Sequence, residues 1–319
     1  MSTVPAAEQR HDDTPLRSAV VINANRVEGA DELRDAITKQ LVEAGWPEPL
    51  WLETTAEDPG LGQARQAVEE GVDVVFVCGG DGTVRAVVEG LAGTDVALAV
   101  LPGGTGNLLA ANLDIPTNVP DGVATALARG RRQVDIGEVD GQAFAVMAGM
   151  GFDAKMVDDA PTELKAKAGS VAYVVSALKH LADDEMHVEV RVDDQPPVRR
   201  HARSVLVGNV GRLQGGVRLL PEAEADNGQM DVAIIAPRNL GHWVQLAVAV
   251  VLRRERVPRM EVLRGSRIRI RSTRPQPRQL DGDVIDPADN LVANVRPGAL
   301  WVCVHQPDTT DDLAEGGQD

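Results

Sequence analysis

Aromatic residues are scarce in this chain: 3% of 319 residues, with a single Tyr. Proteins that grip single-stranded nucleic acid stack bases on aromatic rings, so this class is disfavoured. The formal net charge of −16 argues against a nucleic-acid partner on independent grounds. There are only two cysteines, Cys78 and Cys303, and both sit in apolar runs. Buried thiols are therefore expected, and neither a disulfide framework nor a cysteine metal centre can be built from them. None of His11, His180, His187, His201, His242 and His305 has a zinc-ligand spacing. The longest apolar run, Trp243 to Leu252, falls well short of the ~20 residues a spanning helix needs. Residues 1–15 lack the basic flank and apolar core of a signal peptide. These absences lead to the expectation of a cytoplasmic protein, with contact at the inner membrane face left open.

Hydrophobic content of 43% with 25% charged residues is ordinary for a soluble fold, and the length suits two domains. The charge is unevenly spread. Arg253, Arg254, Arg256, Arg259, Arg264, Arg267, Arg269, Arg271, Arg274 and Arg278 crowd one C-terminal stretch, and Arg199, Arg200 and Arg203 form a smaller cluster. Ordinary solvation of exposed faces accounts for such arginines, and so does a basic face meeting anionic lipid headgroups.

Between Ser18 and Gly130 apolar strand-like runs alternate with helical periodicity, which predicts a doubly wound parallel sheet covered on both faces. Strands are expected at 19–23, 49–52, 72–78 and 96–101, and helices at 31–43, 61–70 and 84–91. Beyond Arg131 short Val- and Ile-rich runs are separated by Gly, Asp, Asn and Pro, which predicts an antiparallel β-sandwich with helices near 162–181 and 240–254. The expected organisation is a disordered tail over 1–15, an α/β nucleotide domain over 16–132, a β-rich domain over 133–305 and an acidic disordered tail over 306–319. The helix from Gly241 to Arg254 carries Trp243, Leu246, Val250 and Val251 on one stripe, which suits core packing or an acyl-chain channel equally.

Two glycine-rich loops follow adjacent strands: Gly79-Gly80-Asp81-Gly82-Thr83 and Pro102-Gly103-Gly104-Thr105-Gly106-Asn107. Ligands of parallel sheets bind beyond the carboxyl ends of the strands, where both loops lie. Glycines let backbone amides approach an anion, and a following helix start adds oriented N–H dipoles. Asp81 is then suited to hold magnesium, while Thr105 and Asn107 can bond phosphate or ribose. No Gly-Lys-Ser/Thr follows, so this is not a P-loop, and the spacing does not fit a dinucleotide fingerprint.

The ordered series Gly79–Thr83, Leu101–Asn107, Val134–Gly141, Ala148–Asp153, Gly169–Tyr173, Asn227-Gly228 and Leu280–Asp283 resembles the diacylglycerol kinase catalytic-domain family, which includes soluble bacterial lipid kinases and sphingosine kinases. The first motif is shared with NAD kinases, but the Asn-Glu pair of those enzymes is absent after the second loop. The resemblance implies ATP bound by Gly79, Gly80, Asp81, Gly82 and Thr83, with Thr105, Asn107 and Thr54 or Thr55 completing the pocket. It implies Asp281 as the general base, with Asp281→Asn folding normally yet losing transfer. Asp135 and Lys165 would form a supporting network. A structural magnesium would fall at Glu224, Asn227 and Gln229, where Asn227 replaces the family's Asp with a weaker ligand and Asp226 offers a substitute. Asp283 replaces the family's Glu. The implied activity is transfer of the ATP γ-phosphoryl group, with Mg²⁺, to a lipid hydroxyl, first of all diacylglycerol. A sphingoid base, ceramide or glycolipid acceptor remains open, as does a non-catalytic nucleotide or lipid sensor. Implied partners are ATP, the lipid and, transiently, a membrane surface; a homodimer is also left open.

Overall fold

The computed structural model describes residues 8–9, 14–27, 29–102, 107–116, 118–151, 185–212, 218–251 and 257–305. The helix expected near 162–181, Thr105, Lys165 and the acidic stretch 306–319 lie outside the described residues. Within the segment read as a tail, the short strand β1 (Glu8–Gln9) pairs with Arg131 and Gly130.

Strands β2 (Ser18–Ile22), β3 (Leu50–Glu53), β4 (Val74–Gly79) and β5 (Ala97–Pro102) pair in parallel in the spatial order β5-β4-β2-β3. Helices α1 (Ala30–Glu43), α2 (Leu61–Glu69), α3 (Asp81–Leu91), α4 (Leu108–Asn112) and α5 (Val119–Leu127) follow or link them. The strands read as continuous apolar runs because both faces are covered. Val75, Val77, Leu98 and Val100 pack with Ala64 and Ala67 of α2 and with Val84, Val87 and Leu91 of α3. On the opposite face Val20, Ile22, Phe76 and Leu101 meet Ile37 and Leu41 of α1 and Val123 and Ala126 of α5. Cys78 and Cys303 lie in this packing, and burial pushes both thiols up to about 12. With no thiolate at neutral pH they are inert, as expected for structural cysteines.

The second half is antiparallel. It comprises β6 (Gly130–Val139), β7 (Gln142–Phe144), β8 (Met147–Gly151), β9 (Met186–Val192), β10 (Val198–Ala202), β11 (Ser204–Gly208), β12 (Met230–Ile235), α6 (Leu240–Val251), β13 (Met260–Gly265), β14 (Arg267–Leu280) and β15 (Asp283–Cys303). Its core joins Met150, Val190, Val205, Val232, Ile268, Ile270 and Leu291. The architecture is thus the expected pair, an α/β nucleotide-type domain and an antiparallel β domain.

Two features differ from the sequence reading. The boundary expected at 132/133 falls inside β6, and β15 runs back from the second half to pair with β5 in parallel at Trp301–Ala97 and Val302–Leu98. The runs 268–271, 291–295 and 300–304 are parts of two long strands rather than three separate ones. Pro275, Pro277, Pro287 and Pro297 suggested breaks, since proline donates no ladder hydrogen bond. The chain instead absorbs them where the register shifts, between Arg271 and Gln276, between Gln276 and Arg278, and between Arg296 and Leu300.

Candidate active site

The first glycine loop ends β4 and opens α3. Gly80 is the extended N-cap, and α3 begins at Asp81 rather than at the Val84 expected from periodicity. The first-turn amides of an eleven-residue helix therefore face the space beyond the sheet, where they can receive an anion. Gly79 is required by contact: a Cβ there would lie 2.7 Å from the Thr83 side chain. Thr83 is buried, and its Oγ1 accepts a 3.5 Å hydrogen bond from the Asn23 amide.

Asp81 ties this loop to the second one. Its Oδ1 accepts from the Leu108 backbone N–H at 2.9 Å, which fixes the start of α4. Asn107 caps that helix through Oδ1, accepting from Ala110 N–H at 3.0 Å. The Asn107 Nδ2 is buried without a partner among the described residues, a donor available to a phosphate or sugar oxygen.

Asp281 sits in the turn between β14 and β15, in the left-handed region at φ 49°, and is 5% exposed. Its carboxylate is seated on three consecutive backbone amides. Oδ2 accepts from Ala145 at 2.7 Å, and Oδ1 accepts from Val146 at 2.9 Å and Met147 at 2.8 Å. Its own N–H donates to Met147 O at 2.8 Å. Such a nest of N–H groups favours an anion. Burial nonetheless dominates and pushes the carboxyl up to about 6, while the three amides pull it down.

Asp81 and Asp281 face each other electrostatically, with Asp283 beside them. Burial pushes the Asp81 carboxyl up to about 7; the Leu108 amide opposes this, and the charges of Asp281 and Asp283 add to it. Asp283 lies against α3, since a Cβ on Gly82 would meet its carboxylate at 3.3 Å. Arg85 Nε donates to Asp283 Oδ2 at 2.9 Å, an ion pair joining the two halves. Asp81, Asp281 and Asp283 thus lie near a single guanidinium, and carboxylate oxygen is the ligand type magnesium takes. Among the described residues no three acidic, His or Cys side chains converge as a metal cage.

The remaining sequence-predicted residues are placed as follows. Thr55 is exposed beyond β3, where its hydroxyl accepts from Asp58 N–H at 3.1 Å in a local turn. Asp135 is buried in β6 and clamps two turns: Oδ2 accepts from Gly228 N–H at 2.6 Å and Oδ1 from Gly298 N–H at 2.8 Å. Burial raises its carboxyl, and those two amides oppose the shift. Glu224, Asn227 and Gln229 are exposed. The Asn227 side-chain oxygen is occupied by Gln229 N–H at 2.9 Å, and Asp226 is held by Arg132 at 2.7 Å.

One buried residue escaped the sequence reading. Asn209, at the end of β11, donates from Nδ2 to Asp135 O at 2.7 Å and to Ala145 O at 3.0 Å. Its N–H donates to Val146 O at 2.9 Å. It thereby braces the segment whose amides seat Asp281. The only signal in sequence was a polar residue ending the run Ser204–Gly208. Asn209→Ala strands two buried carbonyls, so a loss of roughly 2–4 kcal/mol in urea-measured stability is expected.

The first-turn amides of α3, with Asp81, Asp281 and Asp283 where the α/β half meets the antiparallel half, form an arrangement suited to phosphoryl transfer from a nucleotide. The comparisons narrow this. Residues 17–139 match the diacylglycerol kinase catalytic domain, and residues 146–304 match the YegS C-terminal NAD kinase beta sandwich-like domain. The "Probable lipid kinase YegS-like" of Pseudomonas aeruginosa (strain PAO1) is 32% identical over 289 residues, covering 86% of this chain and 90% of its own. The diacylglycerol kinase of Bacillus subtilis (strain 168) is 28% identical over 236 residues, 72% and 77% of the two chains. A crystal structure of a diacylglycerol kinase from Bacillus anthracis str. Sterne superposes with a TM-score of 0.75 at 22% identity, covering 92% and 98%. The chain belongs to the diacylglycerol kinase catalytic-domain family and is a lipid kinase.

Proposed function

We propose that this kinase transfers the γ-phosphoryl group of ATP to the free hydroxyl of diacylglycerol, giving phosphatidate. The observation that carries the reading is Asp281, held on three amides and electrostatically coupled to Asp81 at the start of α3. In this scheme the α3 N-terminal amides and Asn107 Nδ2 receive the triphosphate, and Asp81 holds Mg²⁺. A Mg²⁺ bound there would supply neutralisation of phosphate charge. Asp281 Oδ2 has one amide partner against two on Oδ1, which leaves a lone pair to take the acceptor proton. The hydroxyl oxygen attacks phosphorus, the bond to the β-phosphate oxygen breaks, and ADP departs. Arg85 keeps Asp283 paired and offsets charge near the base. Positioning supplies most of the rate.

Because the acceptor is a bilayer component, the enzyme works at a membrane surface, which it meets peripherally. Among the described residues no helix is long and apolar enough to cross a membrane. Incubation with labelled ATP and mixed micelles of diacylglycerol, a sphingoid base, ceramide or a glycolipid tests the acceptor. Label is expected on diacylglycerol. Label on another lipid reassigns the acceptor, and label on none makes the protein a sensor.

A further inference from the structure

The outer face of the β10–β9–β14 sheet carries a concentration of arginine that the active site does not use. In β14, Ile268 and Ile270 point into the core, so Arg267, Arg269 and Arg271 point outward, and all three are exposed. In β9, Val188, Val190 and Val192 are buried, which turns His187, Glu189 and Arg191 outward. Arg199 and His201 of β10 lie opposite Glu189 and His187 on the same face. The neighbouring outward positions of β15 are the uncharged Asn290, Val292 and Asn294.

The pairing on this face is mixed: Arg271 of β14 stands opposite Glu189 of β9, a favourable pair, but the next pair inward is not. Arg269 of β14 stands directly opposite Arg191 of β9. Like charges directly opposite on antiparallel strands destabilise the pair. Glu189 is the acid within the face, and it is bonded to Arg199 at 2.8 Å, which holds its carboxyl below the usual range. Arg267 leans on the exposed Asp194 at 3.5 Å at the loop edge. Arg191, Arg269 and Arg271 have no hydrogen-bonded carboxylate among the described residues. A protein of net charge −16 thus keeps five arginines together on one sheet face.

We propose that this face docks on the anionic headgroups of a lipid bilayer. Guanidinium groups pair with phosphate oxygens in a planar, two-pronged geometry, and adjacent strands present five of them on one exposed face. The docking strand is also the catalytic one, since β14 carries the three arginines at its start and leads into the Asp281 turn at its end. The proposal rests on the lipid-kinase reading in its choice of partner, and it adds the surface by which that partner is met.

The experiment is sedimentation of the full chain with vesicles of phosphatidylcholine alone or mixed with phosphatidylglycerol. Wild type is expected to bind the mixed vesicles and to release them as salt rises. At about fivefold per basic residue near the surface, R191Q/R269Q/R271Q is expected to bind on the order of a hundredfold more weakly. Its thermal midpoint should stay the same or rise, and its phosphorylation of a short-chain, water-soluble diacylglycerol should match wild type. Equal vesicle binding by variant and wild type overturns the proposal, as does wild-type binding indifferent to phosphatidylglycerol. Self-association that the variant abolishes, without vesicle binding, also overturns it and assigns the face to a second copy. If the kinase reading alone fails, neither protein labels the soluble acceptor, yet vesicle binding still depends on the three arginines.

Discussion

Asp281→Asn is expected to lower lipid phosphorylation by about two to four orders of magnitude. Removing a positioned general base costs about 10²–10⁴-fold. The seat around Asp281 bears on the expectation drawn from sequence that this variant folds normally. All three groups around the carboxylate are N–H donors, so an Asn amide nitrogen placed at either oxygen meets a donor. That mismatch costs about 1–3 kcal/mol, and the variant should melt below wild type while remaining folded. Circular dichroism at the assay temperature separates the effects, since a folded population cannot lose a thousandfold through stability alone. The base acts when ionised, and burial places its carboxyl at about 6. Activity should therefore fall as pH drops through about 6 and level off above it. A folded Asp281→Asn enzyme within tenfold of wild type, or a flat profile across pH 5–7, would remove Asp281 from this role.

Asp81→Asn should behave in the opposite way toward stability. Asn can keep the oxygen that accepts from Leu108, so the tie to α4 survives. What disappears is a buried charge whose carboxyl is raised to about 7 by burial and by Asp281 and Asp283. A group with a raised folded pKa gives stability that is present at low pH and lost as pH climbs past that value. At pH 8 the neutral amide relieves the penalty, so the thermal midpoint should hold or rise. Nucleotide affinity in the presence of Mg²⁺ should nevertheless fall on the order of a hundredfold, because the phosphate-side cation loses its carboxylate. Calorimetric titration with ATP and Mg²⁺ checks this; undiminished affinity would place the metal elsewhere.

Much of this arrangement was legible in the chain because it is local. A strand, a glycine turn and a helix start are contiguous, so Gly79 to Thr83 announces its own geometry. The parallel strands were readable because burial on both faces leaves unbroken apolar runs. What could not be read was set by partners far along the chain. Asp281 looks like an ordinary turn former until Ala145–Met147 comes against it from 134 to 136 residues away. Asn209 is one amide in a valine-rich run, and its value depends on carbonyls of Asp135 and Ala145. β10 was hidden because only Val198 and Ala202 turn inward, leaving Arg199, Arg200 and His201 to read as a polar loop. The arginine cluster was visible, but which of its members share a face required the strand register.

Strand β15 gives the molecule an unusual economy of parts. One continuous stretch from Asp283 to Cys303 begins at the base, pairs with β14 and β6, and ends as a neighbour of β5. A gene cut between the two halves would therefore not release two modules. The amino-terminal piece would present β5 as a bare edge, an invitation to pair with any passing chain. Recombination that shuffles one half without the other must therefore also supply its own 21-residue seam in place of β15.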